Sequence, residues 1–233
     1  MKEAIHQLNY LPYAGFFHKL SLSDVYVIMD NTQYDKKFTN RNKIKVPNNW
    51  IWLTVPINKK HKFSANKIVE INNEHDWGSE HLEKITRSYS NSDFFKKEYK
   101  WFFEKIYAKK WTHLLTLNHE IMLQLIDWLG IKIEIIKESE LNIKGNSTER
   151  LVNICKKIGA ETYVSGIGGK EYMDEKIFET NNIKIEYQNF ECPKYKQVFN
   201  SEFIPNLSII DLLFNAGKNS LSILTKEYSN EKI

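Results

Sequence analysis

The apolar positions near the start of the chain follow a strand, helix, strand pattern. A short strand is predicted at residues 4–7, and the apolar spacing at residues 15–20 predicts a short helix after it. Residues 25–29 form a continuous apolar run, which is typical of a strand buried on both faces of a parallel sheet. The first 30 residues therefore predict a β-α-β unit.

The same alternation returns in the second half of the chain, after a long helical stretch. Apolar residues between 76 and 130 recur mostly at spacings of three and four, which predicts amphipathic helices, and Gly130 is placed to end the last of them. Asn146 is expected to cap the next helix. The remaining predicted strands cover residues 50–57, 131–136, 162–164 and 183–187, and the remaining predicted helices cover residues 151–158, 172–178 and 207–215.

This order of elements predicts an α/β fold with a mostly parallel sheet flanked by helices. The helical block at about 76–130 is inserted mid-chain, and residues 1–233 are expected to form a single domain. In such sheets, ligands bind beyond the carboxyl ends of the strands. The loops at residues 6–12, 30–43 and 165–170, each after a predicted strand, are therefore the candidate binding loops.

The first of these loops carries a histidine and two amides. His6 titrates near neutrality and can act as a general base, while Gln7, Asn9 and Tyr10 can hydrogen-bond a sugar or a nucleobase. The structural alternative is a tight polar turn that ends the strand. The sequence predicts His6 as catalytic and the other three residues as substrate-binding.

The second loop begins with a carboxylate. Asp30 can orient a histidine, bind a ribose hydroxyl or hold magnesium, and Gln33 and Tyr34 follow it as candidate substrate-binding residues. The structural alternative is an Asx-turn. We expect Asp30 to orient His6.

Basic and amide side chains fill the rest of the second loop. Arginine offers a planar fork to phosphate and lysine a point charge, so Arg41 and Lys43 are expected to grip a nucleotide diphosphate. The alternative is a solvated basic loop. The candidate substrate-binding residues of this stretch are Lys37, Asn40, Arg41, Asn42 and Lys43.

The third loop is rich in glycine. Glycines allow backbone N–H groups to approach a phosphate or an oxyanion, so this loop is expected to bind substrate. Neither a Walker motif nor a dinucleotide-binding glycine motif is present. The alternative is a flexible turn that requires positive φ. The candidate residues are Ser165, Gly166, Gly168, Gly169 and Lys170.

The net charge and the cysteine content limit which ligands and which cellular compartment are expected. A net charge of +4 and a pI near 8.8 suit an anionic ligand but fall short of a dedicated nucleic-acid-binding protein. Cys155 and Cys192 are the two cysteines, which indicates a reducing compartment and no zinc site. No signal peptide and no membrane span are predicted, so we expect a cytoplasmic protein.

Several segments together resemble the WbqC-like family, which is associated with O-antigen and other bacterial surface polysaccharides. One departure is Leu8, where the family often has proline. The matching segments are His6-Gln7-x-Asn9-Tyr10-Leu11-Pro12 with Gly15-Phe16-Phe17, Asp30 with Gln33-Tyr34, Asn40-Arg41-Asn42-Lys43, Trp52-Leu53-Thr54-Val55-Pro56, Thr148-Glu149-Arg150-Leu151, Tyr163-x-Ser165-Gly166, Tyr172-x-Asp174-Glu175, and Ser208-Ile209-x-Asp211-Leu212-x-Phe214-Asn215-x-Gly217.

The resemblance implies transfer of an acyl or aminoacyl group, with glycine as a candidate, to the amine of a nucleotide-linked amino sugar. The donor is left open among an acyl adenylate made from ATP, an aminoacyl-tRNA and an acyl-coenzyme A. A homo-oligomer is also left open. The expected site combines His6 as base with Asp30, and backbone N–H groups around Gly166 to Gly169 for the oxyanion.

Two other functions fit the same sequence. The Pro-x-x-Gly loop that opens a helix resembles the first motif of HIGH-type nucleotidyltransferases, although Tyr13 and Phe16 stand where that motif has its two histidines. The aromatic content is also compatible with a non-catalytic subunit that binds a sugar nucleotide within an assembly complex.

Overall fold

A computed structural model describes residues 1–58, 60 and 64–226 of the chain. Its centre is a five-stranded sheet in the order β5-β2-β1-β6-β7, in which every neighbouring pair is parallel. The predicted α/β fold is confirmed. The strands are β1 (Lys2–His6), β2 (Val25–Ile28), β5 (Glu134–Lys137), β6 (Thr162–Ser165) and β7 (Lys184–Tyr187).

Strand β1 lies in the middle of the sheet, where the strand order reverses. The chain leaves β1 through helix α1 (Ala14–Ser21) and returns as β2 on one side, with β5 beyond it. Strands β6 and β7 are added later on the other side of β1. In open parallel sheets this reversal creates a crevice at the carboxyl ends of the two central strands, and that crevice is the usual place for a ligand.

A separate antiparallel hairpin follows the second candidate loop. It consists of β3 (Arg41–Val46) and β4 (Asn49–Thr54), joined by a turn with Asn48 at φ +59°. The prediction of a loop through residue 43 was wrong, because alternation in β3 buries Asn42 and Ile44 on one face. The strand predicted at 50–57 is therefore part of this hairpin and ends at residue 54, outside the parallel sheet.

The helical block is confirmed, with one interruption. It contains α2 (Trp77–Tyr89), α3 (Lys100–Ala108) and α4 (Leu114–Leu129), and a π-helical turn at Phe95–Tyr99 leads into α3. Asp76 caps α2 by accepting a hydrogen bond from the Ser79 amide at 3.1 Å. Gly130 ends α4 at φ +70°, as predicted.

Two hydrophobic cores occupy the two faces of the sheet. The larger core joins the sheet to α1, the helical block, the hairpin and α7 (Ile209–Ala216), followed by α8 (Ser220–Leu224). The smaller core lies under α5 (Ser147–Ile158) and α6 (Glu175–Thr180). Successive residues of one strand serve opposite cores, as Ala4 and Ile5 do in β1. Within the described residues, no helix has the length and apolar character needed to cross a bilayer.

Candidate functional site

A cavity of about 390 Å³ lies at the carboxyl end of β1. Its walls come from the loop after β1, the segment before the hairpin, and the β6 side of the sheet, so it occupies the crevice expected from the strand order. The lining residues are Ile5, His6, Gln7, Asn9, Tyr13, Met29, Asp35, Lys37, Phe38, Thr39, Leu151, Tyr163 and Tyr172. We call this space the His6 cavity.

The His6 ring is held in one orientation. Its Nδ1 lies 2.8 Å from the carbonyl oxygen of Gln7, which can only accept, so Nδ1 carries the proton. The Phe16 ring packs edge-on against it at 5.5 Å between centroids. Burial, and secondarily the charge of Lys19, lowers the pKa of His6 to about 3. His6 is therefore neutral near pH 7, with a free lone pair on Nε2.

Lys19 is a buried cation beside this histidine that sequence reasoning missed. Only 5% of its surface is exposed, and its Nζ donates to the carbonyl oxygen of Ile5 at 3.4 Å. Burial lowers the pKa of Lys19 to about 8. Its position three residues after Phe16, on the apolar face of α1, is the signal that could have identified it.

Asp30 does not orient His6. One of its carboxylate oxygens accepts from the Ser139 amide at 3.0 Å, and the other accepts from the Ser139 hydroxyl at 2.6 Å. The reason is topological, because β2 lies between β1 and β5 and Asp30 turns toward the residues after β5. The structure uses Asp30 to join the ends of two neighbouring strands.

Two amides of the first loop face the His6 cavity in different states. Gln7 Oε1 accepts from Asn66 Nδ2 at 2.9 Å, and Asn66 also bonds Thr32 at 3.2 Å, so Gln7 is fixed from behind. Asn9 is 8% exposed, and its side chain has no hydrogen-bond partner among the described residues. The Asn9 amide is therefore available for a hydrogen bond with a molecule in the cavity.

Tyr10, predicted to bind substrate, points into the helical block instead. Its hydroxyl bonds His81 Nδ1 at 2.8 Å and also the hydroxyl of Tyr107. The Tyr10 side chain is fully buried, and burial lowers the pKa of His81 to about 3. This group fastens the first loop to α2 and α3.

The basic segment is divided between two sides. Lys37 lines the His6 cavity, whereas Tyr34, Asn40 and Arg41 line a second cavity of about 580 Å³. Gln33 is exposed, and its backbone forms an isolated antiparallel β-bridge with Ala65. The predicted residues are therefore not gathered into one clamp.

Three predicted residues of this segment, Asn40 among them, are engaged within the protein. Asn40 Nδ2 donates to the Val55 carbonyl at 2.8 Å, and Asn42 Nδ2 donates to the Leu11 carbonyl at 2.7 Å. Lys43 Nζ lies 4.1 Å from the ring centroid of Trp50, on the outer face of the hairpin. The Asn42 bond holds the hairpin against the first loop, whereas the other two contacts lie within the hairpin and at its base.

The glycine loop forms a compact 3₁₀ turn at Ile167–Glu171. Gly169 donates its backbone N–H to the carbonyl of Gly166 at 2.9 Å, so that amide is occupied. None of Gly166, Gly168 and Gly169 has positive φ, and the turn that requires positive φ is therefore not formed. Gly169 serves close approach, not left-handed backbone, since a Cβ on it would lie 2.3 Å from Ser165 Oγ.

The glycine loop and His6 lie at the ends of neighbouring strands, but they do not line the same cavity. Tyr163 before the loop and Tyr172 after it line the His6 cavity, while residues 165–170 do not. Ser165 is buried and donates to the Gly166 carbonyl at 3.0 Å. Lys170 Nζ lies 4.6 Å from the Tyr187 ring, toward the β7 edge. Among the described residues, no cluster of three His, Cys, Asp or Glu could hold a metal ion.

Comparison with known proteins agrees with the sequence motifs. The uncharacterized protein Rv1507c of Mycobacterium tuberculosis (strain ATCC 25618 / H37Rv) is 32% identical over 218 residues, which is 93% of this chain and 94% of that protein. No solved structure is significantly similar to the chain. The sequence profile of the WbqC-like protein family matches residues 7–223, so the chain belongs to the WbqC-like protein family.

Proposed function

We propose that this protein is a cytoplasmic enzyme of bacterial surface-polysaccharide biosynthesis that binds a nucleotide-linked amino sugar in the His6 cavity. It transfers an acyl or aminoacyl group, for which glycine is a candidate, to the amine of that sugar. The surface-polysaccharide context comes from the association of the WbqC-like family with such pathways. The cavity contributes the acceptor site.

One observation carries the proposal: Asn9 lines the cavity, and its side-chain amide forms no hydrogen bond with a described residue. An amide at the wall of a cavity, with no bond to the protein, can fix the orientation of a bound ligand by hydrogen bonds. Asn66 holds Gln7 through the Oε1 atom of Gln7. The NH₂ group of Gln7 is therefore left for the same ligand. Amide groups of this kind suit the hydroxyls of a sugar ring.

The remaining lining residues fit the other parts of such a substrate. Ile5, Met29 and Leu151 give an apolar wall, and Tyr163 and Tyr172 add aromatic rings. Lys37, the cation of this lining, is exposed and can approach a phosphate. A few polar groups in a mostly apolar cavity of this volume are typical of small-molecule sites.

The transfer joins the amine nitrogen to the donor carbonyl carbon and breaks the bond from that carbon to its carrier. The amine gives up a proton, which ends on the released carrier or in water. His6 Nε2 can accept a hydrogen bond from the amine. This bond orients the amine so that the lone pair of the amine nitrogen points at the donor carbonyl carbon. Because the pKa of His6 is about 3, it would hold the amine in position and would be a weak base.

The low pKa of His6 also supports a second candidate function. Because Asp30 is engaged by Ser139 and the pKa of His6 is about 3, the cavity lacks the Asp30-oriented histidine base expected from the sequence. A subunit that binds the sugar nucleotide without chemistry, within an assembly complex, needs no such base. The two functions share the ligand and differ in turnover.

The test is a mass-spectrometric assay for the amide product. Purified protein is incubated with dTDP- or UDP-linked amino sugars and with glycyl-adenylate, glycyl-tRNA or an acyl-coenzyme A. We expect one acceptor to gain the mass of the acyl group. Absence of product with every donor would favour the binding subunit, and pyrophosphate release from ATP would favour adenylyl transfer.

Two substitutions of His6 separate its possible roles. His6→Asn keeps a donor near the Nδ1 position but removes the acceptor at Nε2, so turnover should fall at least about 100-fold while sugar-nucleotide binding stays within several-fold. His6→Gln places an acceptor near Nε2 and should recover part of the rate. Unchanged turnover in His6→Asn would remove His6 from the mechanism.

A further inference from the structure

A second cavity lies beside the hairpin and takes no part in the proposed acceptor site. Its volume of about 580 Å³ exceeds that of the His6 cavity and falls within the range of small-molecule sites. It is reached from the opposite side of the segment that precedes β3. The described lining consists of Tyr34, Lys36, Asn40, Arg41, Thr54, Val55, Pro56 and Ile57.

The two cavities share one wall, formed by residues 34–41. Lys37 and Thr39 line the His6 cavity, whereas Lys36 and Arg41 line the second one. Arg41 Nε donates to the backbone carbonyl of Lys37 at 3.1 Å across this segment. Residues of this one segment therefore line both cavities.

The second cavity has a strongly cationic lining. Lys36 and Arg41 face it without a carboxylate among the described lining residues, and neither forms an ion pair with a described acid. By contrast, the His6 cavity contains Asp35 as well as Lys37. An anion is therefore favoured more in the second cavity.

The arginine is fixed in a way that suits phosphate. Its guanidinium lies 4.5 Å from the Trp52 ring centroid, and its Nε is held by the Lys37 carbonyl. The terminal N–H groups then point from a fixed plane, which is the fork geometry that binds phosphate oxygens. Burial raises the pKa of Tyr34 to about 12, so its hydroxyl remains a neutral donor beside Arg41.

The opposite part of the lining is apolar. Pro56 and Ile57 supply it, next to the threonine that ends β4 and in front of the fully buried Val55. A ligand with phosphate groups at one end and a flat ring at the other would use both parts. We infer that the second cavity is a nucleotide-phosphate site, in which Arg41 and Lys36 bind the phosphates and the apolar residues contact the base.

The identity of the nucleotide rests on the proposed function. It belongs either to the amino-sugar acceptor, whose sugar then reaches over residues 34–41 into the His6 cavity, or to the activated acyl donor. Both sources present the same chemistry to Arg41 and Lys36. Competition between ligands tells them apart.

The experiment is calorimetric titration of the full chain with UDP, dTDP and ADP, and with uridine and adenosine as phosphate-free probes. At least one diphosphate should bind, and its nucleoside should bind at least about tenfold more weakly. Arg41→Gln and Lys36→Gln should each weaken the diphosphate at least about tenfold. Lys157→Gln is the control, since Lys157 is exposed on α5 and is not among the lining residues of either cavity, and it should change binding less than about twofold.

Three results would overturn the inference: no binding of any diphosphate, an equal loss in Lys157→Gln, or a loss in Lys37→Gln without one in Arg41→Gln. If a nucleotide-linked amino sugar displaces the diphosphate, the site belongs to the acceptor, and if both bind together it belongs to the donor. Diphosphate binding that depends on Arg41, in a protein that forms no amide product, would sustain this inference and count against the proposed function.

Discussion

A buried glutamate in the central strand departs from the rule that buried carboxyl groups have hydrogen-bond partners. Glu3 is fully buried in β1, and neither carboxylate oxygen has a hydrogen-bond partner among the described nitrogen and oxygen donors. The neighbouring group is the Cys155 thiol, which is also fully buried. Burial raises the pKa of Glu3 to about 7, because the charged form loses its hydration.

Glu3 should make the folded state less stable as the pH rises. Its pKa is about 7 in the folded protein and near 4.5 unfolded, so its contribution is fully present below pH 4.5 and is lost as the pH rises through 7. The loss amounts to about 3 kcal/mol at most. Urea unfolding at pH 5 and pH 8 should show this loss in the wild type and little of it in Glu3→Gln.

The matched control is Glu179→Gln, because Glu179 is exposed on α6. The free energy of unfolding of Glu179→Gln should match that of the wild type at both pH values. If Glu3→Gln keeps the wild-type pH dependence, the carboxyl of Glu3 is not the group that titrates with folding.

At the scale of elements, the glycine loop depends on one glycine more than on the others. A Cβ on Gly169 would lie 2.3 Å from Ser165 Oγ and 2.8 Å from Met173 Cε, whereas a Cβ on Gly168 would meet no atom within 4 Å. Gly169→Ala should therefore destabilise the protein by about 1–3 kcal/mol, and Gly168→Ala should have little effect. Thermal unfolding of the two variants measures this difference. Equal melting temperatures would mean that the turn relaxes around the new methyl group.

Elements with a clear period could be predicted, and those defined by partners far along the chain could not. The run at 25–29 and the cap at Gly130 are local signals, and both were confirmed. Strand β3 was mistaken for a loop because its outward residues are charged, which hid the alternation. Asn146 precedes α5 but forms no side-chain cap hydrogen bond.

The same limit applies to the candidate site. His6, Gln7 and Asn9 could be predicted, since they follow a strand end in a parallel sheet. The bond between Asp30 and Ser139 joins residues 109 positions apart, and no local pattern reports it. Tyr10 also looked like a ligand residue, but its partners His81 and Tyr107 come from the helical block.

At the scale of the molecule, the two cores share the central strands. Ala4 and Tyr26 belong to the larger core, and Ile5 and Val27 to the smaller one. Unfolding of these strands would therefore expose apolar residues of both cores. We therefore propose that residues 1–233 behave as one domain and unfold cooperatively.

The two cores carry separate reporters of unfolding. The six tryptophans lie outside the smaller core, and Cys155 lies within it. In a Cys192→Ser background, urea unfolding followed by tryptophan fluorescence and by labelling of Cys155 should give one midpoint. Labelling at clearly lower urea than the fluorescence change would show that the smaller core opens separately.

The central claim is that the His6 cavity binds a nucleotide-linked amino sugar, and a thermal-shift measurement with such sugars tests it most directly. A dTDP- or UDP-linked amino sugar at about a hundred times its dissociation constant should add roughly 2.7 kcal/mol, a shift of several degrees. Asn9→Ala should melt near the wild type without ligand and lose most of the shift, because the unpartnered Asn9 amide lines the cavity. No shift of the wild type with any such sugar, or an undiminished shift in Asn9→Ala, would contradict the account.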